Sequence, residues 1–308
     1  MLSEEGYRAL TTRSGVVRRR DRGVLTVTGT DRLEWLQGLL TNDVAALAPG
    51  SACDAAYLTP QGRMITDLRV LHFADRTLLD VPAVLATSLT TRLDGLLFSE
   101  EASIVDSSDH VSVIELHGPT APEIAASHED FVPDDVYGVP GFVAVVSSSD
   151  VEAFVSQLVA RGALEVSLET LDVLRIEAGR PAFLIDMDEH TIPLEAGLEK
   201  RAISFSKGCY VGQEVIVRVT HRGGGRVAKR LVGLRLATGQ APHAGDLISA
   251  EGRDVGRVTS AAWSPALNTA IALGYLHRDF TDPGTKVAIN GSNGSLPAEV
   301  ASLPLVAR

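Results

Sequence analysis

The sequence predicts an α+β fold that ends in a small all-β unit, and three observations carry that reading. Through the first two thirds of the 308 residues, some segments repeat apolar positions at helical spacing and others form short strand-like runs. From Leu231 onward only short apolar runs remain, parted by Ala244-Gly245-Asp246, Glu251-Gly252-Arg253-Asp254 and Asn290-Gly291-Ser292-Asn293-Gly294, which is the pattern of a sandwich or barrel. Between the two lies Gly223-Gly224-Gly225, where three glycines maximise backbone freedom and mark a boundary between residues 1–222 and 226–308.

Taken in order, Val24 to Thr28 reads as a strand, and Asp31 with Glu34 three residues later predicts a capping box opening a helix that shows Leu33, Leu36, Leu39 and Leu40 on one face. Past the Pro49-Gly50 turn, Ala52 to Leu58 and Arg63 to His72 form a hairpin around Thr59-Pro60-Gln61-Gly62. Leu85, Leu89, Leu93 and Leu96 mark a second helix, and Val151, Phe154, Val155 and Leu158 a third. Strands at Val111 to Leu116 and Phe142 to Val146 fall between them, and a helix over Leu171 to Ala178 stops at Gly179-Arg180-Pro181.

With 45% hydrophobic residues the chain can bury a substantial core, and its length exceeds what a single core usually fills. A formal charge of −11 argues against whole-surface attraction to nucleic acid or anionic membrane. No run approaches the ~18 apolar residues that a bilayer span requires, and charges at Glu4, Glu5, Arg8 and Arg13 break the order of a signal peptide. Two cysteines, Cys53 and Cys209, are too few for a disulfide framework, so reduced thiols in the cytoplasm are expected.

Chemistry concentrates in Lys207-Gly208-Cys209-Tyr210-Val211-Gly212-Gln213-Glu214. In extended backbone Lys207 and Cys209 would share a face, and an ammonium beside a thiol favours the nucleophilic thiolate. The plain alternative is a buried Cys209 beside a solvated Lys207. Between residues 200 and 230 eight basic residues (Lys200, Arg201, Lys207, Arg218, Arg222, Arg226, Lys229, Arg230) face one acid, Glu214, which suits either a solvated face or a site for a multiply anionic ligand. Glu195, framed by Pro193, Leu194, Ala196, Gly197 and Leu198, is either a surface carboxylate or one inside a cavity, where it could accept two parallel N–H groups from a pterin edge. Asp67 faces either solvent or a central cavity. The spacing of a phosphate loop is missing.

The octet from Lys207 to Glu214 resembles the signature of the YgfZ-type folate-binding proteins, relatives of the glycine-cleavage aminomethyltransferases. The likeness runs on through Leu33 to Gly38, Thr41-Asn42-Asp43, Thr59 to Arg63, Arg175 to Gly179, Pro193 to Leu198, Thr259-Ser260 and Ser264-Pro265. It implies two α+β sections, interleaved or consecutive, around a central cavity, followed by a C-terminal β-barrel. It also implies tetrahydrofolate or another reduced folate as cofactor, with Glu195 on the pterin, Asp67 in the folate site, and Lys229 and Arg230 at the folate tail.

The function this resemblance implies is accessory: assembly or repair of [4Fe–4S] clusters on partner proteins, with an indirect effect on tRNA modification and with Cys209 and Lys207 as the reactive pair. Two cysteines cannot supply the four thiolates that ordinarily hold a cluster, so the thiol would act transiently. The alternative is a folate-dependent aminomethyltransferase or a demethylating enzyme acting on a small amine. RNA binding ranks behind both, because only Phe205 and Tyr210 interleave the basic segment.

Overall fold

The computed structural model describes residues 3–222, 224–237, 239–292 and 294–308, without the side chains of His221 and Arg222. Gly223 of the expected boundary and Asn293 of the last glycine turn lie outside the described residues, as does the Arg222 side chain counted in the basic segment.

Two five-stranded sheets are threaded alternately by the chain. One runs in the order Leu164–Glu165, Gly15–Arg18, Val111–His117, Gly141–Ser147, Val132–Pro133, and the other Ser51–Leu58, Met64–His72, Thr77–Pro82, Arg22–Thr28, Ser103–Asp106. Val24, Leu71 and Leu78 from the second sheet pack against Val113, Val132 and Val143 from the first, so the sheets share a core. Helices cover the far faces: Arg32–Leu39 and Ala86–Asp94 on the second sheet, Val151–Ala160 on the first. The α+β sections are therefore interleaved. Arg22–Thr28 leaves the first sheet for the second, and Val111–His117 returns.

Residues Lys229–Leu236, Thr269–His277, Arg253–Ser264, Leu247–Ala250, Lys286–Gly291 and Gly294–Ala301 then close a six-stranded barrel, sealed where Gly233 pairs with Ala301. Its interior is filled by the inward-facing apolar side chains of these strands, among them Leu234, Ile248, Val258, Ile289 and Val300. The predicted hairpin is present as Ser51–Leu58 with Met64–His72. The predicted capping box is not: Asp31 makes no side-chain cap bond, and its carboxylate instead accepts the Glu101 amide at 2.8 Å, tying the helix start to a distant loop.

Helix Leu168–Glu177 joins the two parts. Ser167 caps it by accepting the Thr170 amide, and Gly179, at φ +68°, ends it where a β-carbon would meet Leu303 at 2.7 Å. Arg175 reaches Asp186 (2.6 Å) and the barrel hydroxyl of Ser260 (2.8 Å). Glu177 accepts from Tyr7 of the first helix (2.9 Å), from barrel Ser264 and from Arg308. Ile176 packs with Leu231, Ile271, Leu273 and Leu305. Removing one partner of a buried pair leaves an uncompensated charge, so Arg175→Met is expected to cost about 3–5 kcal/mol. Urea unfolding measures this, and a loss below about 1 kcal/mol would show that the clasp does not hold the parts together.

Candidate functional site

Two cavities flank this clasp, and their linings share no residue. The larger, about 840 Å³, opens between the barrel and the segment 184–195, a volume in the range of pockets that hold drug-sized ligands. The smaller, about 100 Å³, lies at the meeting of the two sheets and is walled by arginines and acids. Arg175 lines the small cavity and Asp186 the large one, so their ion pair forms part of the partition. Asp186 is fully engaged, accepting also from the Ala182 amide, Ser260 and Thr259.

Glu195 lies on the wall of the large cavity. The turn Pro193 to Leu198, closed by Glu195 N to Ile192 O (2.8 Å) and Leu198 N to Pro193 O (3.1 Å), presents it there. Its own carbonyl accepts the Leu231 amide at 2.8 Å, which registers the turn against the first barrel strand. Although Glu195 is only 8% exposed, among the described residues its carboxylate meets just the Ile192 amide at 3.3 Å and the Lys229 Nζ at 4.0 Å. A buried carboxylate with so few donors retains capacity to accept more.

Strand alternation separates the two basic residues expected at the folate tail. Lys229 lines the cavity and holds its ammonium 4.8 Å from the Tyr275 ring centroid. Arg230, next along the strand, is exposed, contacts the Gly225 carbonyl at 3.5 Å and does not line the cavity. Sequence reasoning misses Tyr275, because an aromatic in an apolar barrel strand carries no distinguishing signal. It is 9% exposed, and its hydroxyl faces Thr191 without reaching hydrogen-bond geometry. Thr191 is already committed to Asp188. Burial, reinforced by Asp186, Glu195 and Asp188, pushes the Tyr275 phenol far up, so it stays a hydrogen-bond donor.

Asp67 lines the small cavity, apart from Glu195. Among the described residues its buried Oδ1 has no hydrogen-bond partner, and the Arg22 guanidinium lies 3.6 Å from it.

The octet is not a strand: Lys207 to Gly212 form a loop, and Gln213 and Glu214 open the short helix Gln213–Val217. Lys207 Nζ donates to the carbonyls of Gln37 (2.6 Å), Leu40 (2.7 Å) and Asn42 (2.9 Å), using all three donors to satisfy the end of helix Arg32–Leu39. Burial pulls its ammonium down to about 8, opposed by Asp43 and by Cys53. The thiol in electrostatic reach of Lys207 is thus Cys53, which burial pushes up to about 12. Cys209 is exposed and lines neither cavity. Gly212, at φ +83°, packs against the Thr59 to Gly62 turn, where a β-carbon would stand 2.6 Å from the Thr59 carbonyl oxygen. Gly208 has open space around it.

Comparison with known proteins agrees with this architecture. Residues 2–136 match the GCVT N-terminal domain and residues 229–306 the glycine cleavage T-protein C-terminal barrel domain. An aminomethyltransferase of Streptomyces coelicolor is 30% identical, the match covering 99% of this chain and 89% of that one. One of Halothermothrix orenii is 26% identical over 98% and 91%. The crystal structure of glycine cleavage system aminomethyltransferase T from Bartonella henselae superposes with a TM-score of 0.88 at 23% identity, covering 98% of this chain and 89% of that chain.

The geometry of Lys207 sets up a clean test of its role. Lys207→Met is expected to destabilise the fold by about 2–4 kcal/mol, since buried carbonyls lose their donors, while the rate of Cys209 alkylation by iodoacetamide at pH 7 stays within a factor of two. A tenfold slower alkylation would show that the ammonium activates the thiol after all.

Proposed function

The chain belongs to the glycine cleavage T-protein family of aminomethyltransferases, and from that premise we propose that it is a reduced-folate-dependent one-carbon transferase whose folate lies in the large cavity beneath the barrel. The observation that carries the reading is Glu195, a buried carboxylate short of donors on the wall of an 840 Å³ cavity. A pterin offers adjacent N–H groups on its pyrimidine edge, which one carboxylate accepts in parallel, and such charge-assisted bonds are the strong ones. Tyr275 supplies an unused donor on the barrel side. Lys229 supplies positive charge for the anionic tail, with Arg230 outside the lining.

Tetrahydrofolate, when bound, supplies a nitrogen nucleophile that accepts a one-carbon unit. The residues of this chain bind and orient it: Glu195 fixes the pterin edge, Tyr275 donates from the barrel beside it, and the clasp of Arg175 on Asp186 holds the barrel in place.

A second reading, an accessory role in iron–sulfur cluster assembly or repair on partner proteins, is favoured by one feature, the exposed Cys209 in its octet. The matches to aminomethyltransferases support the transferase more directly. Ammonia release from an aminomethylated lipoyl carrier in the presence of tetrahydrofolate separates the two: turnover supports the first reading, and its absence alongside tight folate binding supports the second.

For the site itself, Glu195→Gln is expected to weaken tetrahydrofolate binding about 10- to 100-fold in titration calorimetry, the equivalent of roughly 1.5–3 kcal/mol for hydrogen bonds to a charged group. Tyr275→Phe is expected to weaken it less, and Cys209→Ser to leave it unchanged. Equal affinity in Glu195→Gln and the parent protein would remove Glu195 from the site.

A further inference from the structure

Helix Arg32–Leu39 packs one face on the second sheet and leaves a groove along another, with the segment 96–100 as the opposite bank. The groove measures about 500 Å³, room for several side chains. Trp35 and Leu39, both nearly buried, belong to the core beneath, and Leu96 packs against that core, so the floor is apolar. Three carboxylates, Asp31, Glu34 and Glu100, complete the lining, and among the described residues none of them is in an ion pair. Asp31 accepts the Glu101 amide and the Thr30 hydroxyl. Glu100 accepts the amides of Phe98 and Ser99, which hold it below the usual carboxylate range. Glu34 is exposed on the helix and has no partner among the described residues. The neighbouring Arg32 directs its guanidinium elsewhere, to the carbonyls of Gly29 (2.9 Å) and Ala74 (2.8 Å).

Acids alone would suit any cation, but the same bank carries Phe98, at 86% the most exposed large apolar side chain among the described residues. Covering such a ring is worth about 1.5–3 kcal/mol, so the favoured occupant is both cationic and apolar. A second copy of this chain fits poorly, because its net charge of −11 would bring repulsion to an acidic edge. We propose that this groove docks a basic amphipathic segment of another protein, with lysines or arginines on Asp31, Glu34 and Glu100 and an apolar side chain between Phe98 and the Trp35–Leu39 floor. The docked segment lies beside the octet. Lys207 Nζ donates to the Gln37 carbonyl (2.6 Å) and the Val211 amide to that of Gly38 (3.3 Å), so the chain on both sides of the exposed Cys209 is tied to the helix that forms the groove. The proposal does not rest on the folate reading, because no groove residue lines the large cavity.

A displayed library of random dodecapeptides, selected on the full chain at low salt, tests it. The expected result is enrichment of peptides that combine two or more Lys or Arg with Leu, Phe or Trp. By fluorescence polarisation, a synthetic peptide of that set is expected to bind Glu34→Lys and Phe98→Ser at least tenfold more weakly than the parent protein. Val159→Ser, exposed on the helix over the other sheet, is expected to bind like the parent. Hydrogen exchange on the parent, which needs no variant, is expected to show protection by the peptide over residues 31–39 and 96–101. Tetralysine and spermine are expected to bind at least tenfold more weakly than the peptide. A selection that yields no peptides, or peptides without that composition, overturns the proposal. So does protection confined to other segments, equal affinity for Glu34→Lys and the parent, an equal loss in Val159→Ser, or tetralysine binding as tightly as the peptide.

Discussion

The arrangement depends on two opposite charges carried two residues apart on one buried helix. Arg175 and Glu177 both sit at the end of Leu168–Glu177, and neither can be left in a low-dielectric interior without partners. Arg175 finds Asp186 and Ser260, while Glu177 finds Tyr7, Ser264 and Arg308. Each set reaches the barrel, and the Glu177 set also gathers the first helix and the chain's last residue. Satisfying those charges therefore fixes the barrel against the α+β part, and the large cavity is the space that this docking encloses.

The same pairs explain why two cavities exist where the sequence suggested one. Asp186 and Arg175 stand between them, so a carboxylate on the strand Met64–His72 and one in the turn 193–198 end on opposite sides of a wall. The consequences differ in kind. The large cavity is broad, mostly apolar and provided with a few unspent polar groups, as ligand sites tend to be. The small one is a dense ion-pair network, in which Asp67 lies 3.6 Å from Arg22 and Arg201 lies 4.0 Å from Asp54.

Much of the fold was legible because it rests on local patterns. The Thr59 to Gly62 turn, the glycine stop at Gly179 and the glycine-punctuated strands after Leu231 each have a chain-local cause, and the structure has a hairpin, a helix end and a barrel at those places. The chemistry was legible only in part. The turn around Glu195 signals an enclosed carboxylate, but whether Lys229 or Arg230 reaches it depends on strand register, which no local pattern fixes. The three carbonyls that hold Lys207 come from residues about 165 to 170 positions away, so spacing to Cys209 could not reveal them. Asp31 illustrates the same limit, since the amide it binds lies 70 residues on.

The account stands or falls on where a reduced folate settles. The most direct measurement is electron density from crystals of the full chain soaked in tetrahydrofolate. The expected density has a pteridine edge against Glu195, close to Tyr275, and the tail running past Lys229. Ordered density for the pteridine among the arginines around Asp67, or on the surface beside Cys209, would contradict it.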